Sequence, residues 1–282
     1  MKKLLSIVLA CIMMFGCISV LASCSGNNSD TPVTTTASNN ANGGETTKDS
    51  DYVKNKGKLI VGITDFAPMD YQDESGKWIG FDADMATKFA ESLGVAVEFV
   101  PIEWGQKVAE LDGRTIDVVW NGMTLNDETR GGMECSEAYC KNSQAIILPS
   151  DIADNYKTTD DCKSLTFAVE SGSAGEEVAQ ELGFNVTPVV DQATALLEVA
   201  SGSCDAAIID VLMAGAMIGE GTSYANLVAT QNLNSEEYGV GFRKGSDLAQ
   251  KLNDFFKASY ADGSMMQIAE TYGVQAAIIE QK

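Results

Sequence analysis

Short apolar runs of strand length alternate with segments of helical periodicity through most of the chain. The run Leu59–Ile63 is typical of a buried strand. Met85, Phe89 and Leu93 recur every four residues in a helical segment that Gly94 ends. Strands and helices that alternate in this way predict parallel sheets covered by helices. The sequence therefore predicts an α/β fold.

A second set of the same kind follows the first, which suggests two lobes of similar size. It consists of the strand Leu165–Val169, the helix Ala174–Leu182, the strand Val186–Val190, a helix from Asp191 to Ser201, and the strand Ala206–Ile209. Open α/β sheets bind ligands beyond the carboxyl ends of their strands. Two such ends that face each other would enclose a cleft.

Residues just past the predicted strands are the candidates for lining this cleft. They are Thr64, Asp65 and Phe66, then Glu103 and Trp104, then Asn121, Gly122, Met123 and Thr124, then Glu170, Ser171, Gly172, Ser173 and Ala174, and finally Asp210. The stretch 171–174 opens a helix, where free backbone N–H groups suit a carboxylate.

The N-terminus has the features of an export signal. Lys2 and Lys3 precede an apolar run from Leu4 to Val20, and small residues then lead to Cys24. This order resembles the lipobox of bacterial lipoproteins, in which Cys24 would be lipidated and become the mature N-terminus. The alternatives are an ordinary signal peptide or a membrane anchor, although a spanning helix needs about 20 clean apolar residues.

Residues 24–55 are expected to form a disordered tether, because Ser, Asn, Thr and Gly dominate and there is little to bury. The formal net charge is −21. Nucleic acid is therefore not expected as a partner, since phosphate binding needs clustered Lys and Arg. The chain has no histidine, which excludes Ser-His-Asp and Cys-His catalysis and any His-ligated metal site. No cofactor and no metal are expected.

Four cysteines follow Cys24, namely Cys135, Cys140, Cys162 and Cys204. Their spacing fits no zinc-ligand pattern. In an exported protein they could form up to two disulfides, or they could remain buried thiols. Cys162 and Cys204 are predicted to pair, because each lies just before a strand of the second lobe and those strands should be neighbours.

The segments resemble, in order, the family 3 extracellular solute-binding proteins, which serve ABC importers. The matching stretches are GKLIVGITDFAPMDY (57–71), GKWIGFDADMATKFAESLGV (76–95), IDVVWNGMTLNDE (116–128), FAVESGSAGEE (167–177), GSCDAAIID (202–210) and EYGVGFRKGSDL (237–248). The resemblance implies a two-lobed, type II periplasmic-binding-protein-like fold. Each lobe would be a mostly parallel sheet flanked by helices, and two hinge strands would join the lobes.

The resemblance also implies where the lobes begin and end. The chain would cross between lobes near Asn142–Leu148 and Glu236–Gly241. The expected organisation is a signal peptide at 1–23, the tether at 24–55, a first lobe at 56–143 and 240–282, and a second lobe at 147–236.

The family's ligand contacts carry over to several of the candidates. Phe66 and Trp104 would enclose the ligand side chain, unless they are ordinary core aromatics. Gly122 and Thr124 match a strand-end Gly-x-Thr that supplies backbone groups and a hydroxyl. Asp210 would pair with the ligand's α-ammonium, and it is also placed to cap the helix that follows.

One departure concerns the arginine that clamps the ligand carboxylate in the family. The aligned position holds Thr129, and Arg130 comes one residue later, which turns a helical side chain by about 100°. Arg130 is nevertheless predicted to contribute, because the first lobe offers no other cation next to Gly122 and Thr124, and Arg243 is expected to face solvent. The rival prediction is that backbone N–H groups bind the carboxylate alone. Glu170, with Asp65 and Glu103 nearby, would make the cleft acidic and favour a cationic or neutral polar ligand.

The resemblance implies a monomeric, lipid-anchored protein that captures an amino acid or similar small polar solute for an ABC permease, without catalysis. One alternative is an enzyme on the same fold, like the cyclohexadienyl dehydratases, with Glu170 as the catalytic acid. Another is a sensory module that passes ligand occupancy to a separate receptor.

Overall fold

A computed structural model describes residues 48–282, so the leader, Cys24 and most of the expected tether lie outside the described residues. Within 48–282, no helix is both long and apolar enough to cross a membrane. The helices are α1 (Asp49–Lys56), α2 (Phe81–Leu93), α3 (Lys107–Asp112), α4 (Asp127–Gly132), α5 (Ala174–Glu181), α6 (Gln192–Ala200), α7 (Val211–Met217), α8 (Leu248–Ala261) and α9 (Ser264–Thr271).

The strands are β1 (Lys58–Ile63), β2 (Tyr71–Gln72), β3 (Trp78–Ile79), β4 (Ala96–Pro101), β5 (Val118–Thr124), β6 (Glu134–Cys135), β7 (Cys140–Asn142), β8 (Gln144–Pro149), β9 (Thr166–Glu170), β10 (Asn185–Val189), β11 (Ala206–Asp210), β12 (Leu227–Asn232) and β13 (Glu236–Phe242). Short 3₁₀ turns lie at Trp104–Gln106, Ala153–Asn155 and Asp161–Ser164.

Two sheets form the two lobes. The first has the order β4-β1-β5-β13-β6, with β7 also paired to β13, and the second has the order β10-β9-β11-β8-β12. Each sheet has three adjacent parallel strands, extended by antiparallel strands from the segments that connect the lobes. Helix α2 packs on the first sheet, and α5 and α6 pack on the second. The predicted fold class is confirmed.

Local sequence signals agree with the observed helix ends. Gly94 follows α2 with a φ of 78°, a left-handed conformation that glycine adopts without strain. Asp191 caps α6, and its carboxylate accepts a hydrogen bond from the Thr194 N–H at 2.7 Å. The predicted strand Leu59–Ile63 is observed with one more residue, at Lys58.

The chain crosses between the lobes at Ser143 and again at residues 233–235. The first predicted crossing, Asn142–Leu148, includes Ser143, and the second, Glu236–Gly241, begins directly after residues 233–235. Residues from Gln144 already pair in the second sheet, and residues from Glu236 already pair in the first. In the structure the second lobe therefore begins near 144 rather than 147, and the return to the first lobe begins at 236 rather than 240.

Helix α1 corrects the expected end of the tether at residue 55, because the folded domain begins before it. The Ser50 N–H and hydroxyl donate to Asp247, and the Arg243 Nε lies 3.0 Å from the Asp49 Oδ2. Arg243 is only 8% exposed and also pairs with Asp117. These contacts join residues almost two hundred positions apart, so the composition of the expected tether could not predict them. The expectation that Arg243 faces solvent is wrong for the same reason.

The cysteine prediction is wrong in the structure, where Cys162 and Cys204 are both free thiols. Strands β9 and β11 are neighbours as expected. However, Cys162 packs with Phe167 and Phe184 in one apolar cluster, and Cys204 packs in a different cluster with Leu196. Neighbouring strands alone do not bring two side chains together when the side chains enter different parts of the core.

Candidate functional site

A cavity lies between the lobes at the carboxyl ends of β5, β9 and β11. The space between its lining atoms, part of which is open to solvent, is about 450 Å³. Most of the residues expected to bind a ligand line it, namely Phe66, Trp104, Asn121, Gly122, Thr124, Glu170, Gly172, Ser173, Ala174 and Asp210. Carboxyl ends of parallel strands converge at one edge of each sheet, which brings these distant positions together.

Asp210, the last residue of β11, is a buried carboxylate with several protein donors. Its Oδ1 accepts hydrogen bonds from Asn142, Gln144 and the Tyr238 hydroxyl. Its Oδ2 accepts one from the Gln192 side chain. Burial is the main cause that raises its pKa to about 8. The side chain makes no capping bond to α7, so the alternative role as a helix cap is not observed.

The same network connects Asp210 to both crossing segments. The Asn142 Nδ2 and the Gln144 Nε2 also donate to the Glu236 Oε1, at 2.6 and 2.8 Å. Asn142 ends β7 and Gln144 begins β8, whereas Glu236 begins β13. The charge of Glu236 adds to burial in raising the pKa of Asp210. Hydrogen bonds through Asn142 and Gln144 therefore connect Asp210, at the cavity, to both segments where the chain crosses between the lobes.

Glu170, the last residue of β9, is 3% exposed and lines the same cavity. Its Oε1 is buried and has no hydrogen-bond partner among residues 48–282. Burial, and then the charge of Asp210, raise its pKa to about 8, although the nearby Thr64 hydroxyl acts in the opposite direction.

Lys107 is a buried cation that the sequence analysis did not identify. It is 3% exposed, and its Nζ donates to the Gly172 carbonyl at 3.0 Å and to the Trp104 carbonyl at 3.4 Å. The Nζ also lies 5.1 Å from the centre of the Trp104 ring. Burial lowers its pKa. Its spacing of three residues from Trp104, which places two side chains on one helical face, was the available signal.

Phe66 and Trp104 line the cavity and are also packed into the core, so neither expected role excludes the other. Phe66 meets Tyr238 edge-on, with ring centres 6.3 Å apart. Gly122 has a φ of 54°, and a Cβ there would lie 2.3 Å from the Phe66 ring. Glycine at this position therefore lets the Phe66 ring approach β5.

Most polar groups of the backbone and side chains at the end of β5 form hydrogen bonds within the protein. The Gly122 N–H donates to Asp82 at 2.7 Å, and the Asn121 side chain bonds to Thr64 and Asp70. The Thr124 hydroxyl makes no hydrogen bond among the described residues, whereas its carbonyl accepts from Thr129. Thr124 thus offers the free polar group of this strand end.

Some backbone N–H groups in the first turn of α5 remain without an acceptor in the loop that precedes the helix. The Gly172 N–H donates to the Glu176 side chain at 2.7 Å, and the Ser173 N–H donates to the Glu170 carbonyl at 3.2 Å. The first N–H groups of α5, those of Ala174 and Gly175, have no acceptor within the helix. Of these two residues, Ala174 lines the cavity, so its amide suits a carboxylate there, whereas the amide of Ser173 is already hydrogen-bonded.

Direct contacts connect the lobes across the cleft. The Asn126 Nδ2 donates to the Glu177 Oε2 at 2.9 Å, and Lys107 reaches the Gly172 carbonyl. A Cβ on Gly172 would lie only 2.5 Å from the Gly105 Cα. The structure therefore has the lobes closed on each other.

Five of the candidate residues do not line the cavity, namely Thr64, Asp65, Glu103, Arg130 and Ser171. Arg130 is exposed on α4 and Asp65 is exposed after β1, and neither lines the cavity wall. Thr129, at the position where the resemblance expected an arginine, lines the cavity, and its hydroxyl donates to the Thr124 carbonyl. The offset of one residue turns Arg130 away, as helical geometry requires.

A profile of the bacterial extracellular solute-binding proteins, family 3, matches residues 59–275. The chain belongs to this family. It is 30% identical over 224 residues to the L-cystine-binding protein TcyJ of Escherichia coli strain K12, covering 78% of this chain and 84% of that protein. The resemblance stated from the sequence is thereby confirmed.

Solved structures of the family share the fold. An ABC uptake transporter substrate-binding protein from Streptococcus pneumoniae with bound histidine matches with a TM-score of 0.73 and 26% identity, covering 82% of this chain and 98% of that one. The chain is also similar to the cyclohexadienyl dehydratase of Pseudomonas aeruginosa. It is 27% identical over 169 residues, covering 58% of this chain and 63% of that enzyme.

Proposed function

We propose that this chain captures a free α-amino acid outside the cytoplasmic membrane and presents it to an ABC importer. The observation that carries the proposal is the pairing, in one closed cavity, of the buried Asp210 carboxylate with the open N-terminus of α5. The two groups are complementary to the ammonium and the carboxylate of an amino acid. The similarity to the L-cystine-binding protein TcyJ and to the Streptococcus pneumoniae binding protein with bound histidine supports the same ligand class.

Each end of the ligand has specific partners in this proposal. The Asp210 Oδ2 has one protein donor and so keeps a lone pair for the ligand ammonium. The amide of Ala174 meets the ligand carboxylate, assisted by the Thr124 hydroxyl. Lys107 adds the cation that Arg130 was expected to supply, because an ammonium has three donors and two carbonyls accept only two.

Location and partner follow from the N-terminal sequence and the family. Cys24 is the lipidation site in this proposal, which rests on the sequence because Cys24 lies outside residues 48–282. In this proposal the residues between Cys24 and the folded domain connect the lipid to the domain that delivers ligand to the permease. The closed lobes are the form that the permease binds.

An enzymatic alternative has one specific observation in its favour. A buried carboxyl with a pKa near 8, such as Glu170, is protonated at neutral pH and could donate a proton to a bound substrate. The similarity to a cyclohexadienyl dehydratase points in the same direction. However, Lys107 is the one cation that lines the cavity among the described residues, which suits a single substrate carboxylate.

Calorimetric and thermal titration of the mature protein with the common amino acids tests the proposal. At least one amino acid should bind, and at 100 times its Kd it should stabilise the fold by about 2.7 kcal/mol. Asp210→Asn should then weaken binding by roughly 2–5 kcal/mol, because a desolvated ammonium would lose its counter-charge. The proposal fails if no amino acid binds, or if Asp210→Asn costs less than about tenfold in affinity.

Two further experiments address location and catalysis. Metabolic labelling with an alkyne-tagged fatty acid should mark the full chain, and Cys24→Ala should abolish the label. Incubation with a cyclohexadienyl acid, followed by absorbance, should show no aromatic product. Turnover that Glu170→Gln abolishes would instead establish the enzymatic alternative.

A further inference from the structure

Glu170 has a carboxylate oxygen that the protein leaves without a donor. The Oε1 is buried, yet it has no hydrogen-bond partner among residues 48–282. The free energy cost of an unsatisfied buried acceptor is about 1–3 kcal/mol and is larger for a charged group. Such a group in a native protein needs an explanation, and at the wall of a cavity a bound ligand can supply the missing donor.

The contrast with Asp210 shows which acid lacks a partner. Asp210 receives hydrogen bonds on both of its oxygens from neighbouring side chains, whereas the Glu170 Oε1 receives none. Both residues line the same cavity, and the charge of Asp210 is close enough to disfavour ionisation of Glu170. The cavity therefore offers one carboxylate beyond the one that an α-ammonium needs.

The buried charges that line the cavity also include more acids than bases. Among the described residues that line the cavity, Asp210 and Glu170 are the buried acids and Lys107 is the buried base, while the exposed Glu128 lies 4.0 Å from the Lys107 Nζ. A zwitterionic amino acid with an uncharged side chain would leave one of these acids without a counter-charge, which is costly in a desolvated site. A ligand with one additional positive charge would balance all three residues.

We infer that the ligand is a basic amino acid and that Glu170 binds the cationic nitrogen of its side chain. This inference rests on the proposed function and names the ligand class for the same cavity. Asp210 binds the α-ammonium, α5 and Lys107 bind the α-carboxylate, and Glu170 meets an ammonium or guanidinium between the rings of Phe66 and Trp104. Asp191 also lies near Glu170 and adds negative charge on the same side.

Binding should be accompanied by loss of a proton from Glu170. Burial, and then the charge of Asp210, raise the pKa of Glu170 to about 8, so the carboxyl is mostly protonated at pH 7. A cation at hydrogen-bond distance favours the ionised form. The proton passes to solvent, which makes the observed binding enthalpy depend on the ionisation enthalpy of the buffer.

Isosteric ligand pairs test the inference most directly. L-arginine and L-citrulline have nearly the same shape, as do L-lysine and L-norleucine, but only the first of each pair carries a side-chain cation. We expect at least one basic ligand to bind the wild-type protein on the order of thirtyfold or more tighter than its uncharged counterpart. Glu170→Gln, which keeps the shape, should reduce this preference to threefold or less.

Glu181→Gln is the matched control, because it removes the same charge from an exposed position on α5. It should leave the preference unchanged. Calorimetry at pH 7 in two buffers should show that Glu170→Gln releases about one proton fewer than wild type on binding the basic ligand. Circular dichroism confirms that both variants are folded.

The outcomes separate the inference from the proposed function. If an uncharged amino acid binds as tightly as its basic counterpart, or if Glu170→Gln keeps the full preference, the inference is wrong while amino-acid capture stands. If neither class of amino acid binds the folded wild-type protein, the proposed function and the inference fail together.

Discussion

Gly105 of the first lobe and Gly172 of the second lobe meet backbone to backbone across the cleft. A Cβ on Gly172 would lie 2.5 Å from the Gly105 Cα and 3.1 Å from its nitrogen. Real Cβ atoms do not approach other atoms so closely. Closure of the lobes therefore depends on the absence of a side chain at Gly172.

Gly172→Ala should weaken ligand binding by tenfold or more, because a methyl group at this position keeps the lobes apart. Gly172 also has a φ of 71°, so some loss of stability from backbone strain is expected as well. Gly183→Ala separates the two effects, since Gly183 has the same φ of 71° but nothing within 4 Å of its Cβ position. Equal loss of affinity in both variants would show that strain, not closure, is responsible.

Lys107→Met should reduce amino-acid affinity by about 2 kcal/mol or more, because the ligand carboxylate loses a buried cation. The methionine keeps the apolar length of the side chain and its packing beside Trp104. Arg130→Ala is the control, and it should change affinity by less than twofold because Arg130 is exposed outside the cavity. A large loss with Arg130→Ala would restore the role that the sequence predicted for it.

The stability of the ligand-free protein should fall as the pH rises from about 5 to about 8. Burial raises the pKa of Asp82 to about 6, and those of Asp210 and Glu170 to about 8. The folded state therefore holds protons that the unfolded chain has already lost near pH 4, so each rise in pH favours unfolding. The combined loss of unfolding free energy should be on the order of a few kcal/mol.

Thermal denaturation across this pH range measures the effect. Asp210→Asn and Glu170→Gln should each flatten the dependence, because the substituted group no longer titrates. Asp262→Asn should leave it unchanged, since hydrogen bonds from Ser264 lower the pKa of this exposed carboxyl and place its titration below the window. A stability that rises from pH 5 to pH 8 would contradict the assignment of these buried acids.

Trp104 should report ligand binding by its fluorescence. Its ring lines the cavity next to the Lys107 ammonium. A bound ligand therefore changes the polarity of the surroundings of the ring and the groups that contact it. Trp120 is fully buried in the core beside Phe256 and should not respond. The emission change on saturation should disappear in Trp104→Phe and persist in Trp120→Phe; the reverse pattern would place the signal in the core.

The alternating pattern of apolar runs and helical segments was sufficient to predict the two lobes and their parallel strands. Apolar periodicity is local, and it determines which face of each element is buried whatever the distant partners are. The strand-end candidates, such as Glu170 and Asp210, followed from the same logic, because parallel strands bring their carboxyl ends to one edge.

Contacts between distant residues were decided only by the tertiary structure. A lysine in a short helix normally faces solvent, yet Lys107 is buried because the second lobe closes over it at Gly172. Asn142 bridges Asp210 and Glu236, which lie 68 and 94 residues away, because the crossing segments pass beside the end of β11. Local sequence determines the faces of strands and helices, whereas lobe closure determines which polar groups meet between them.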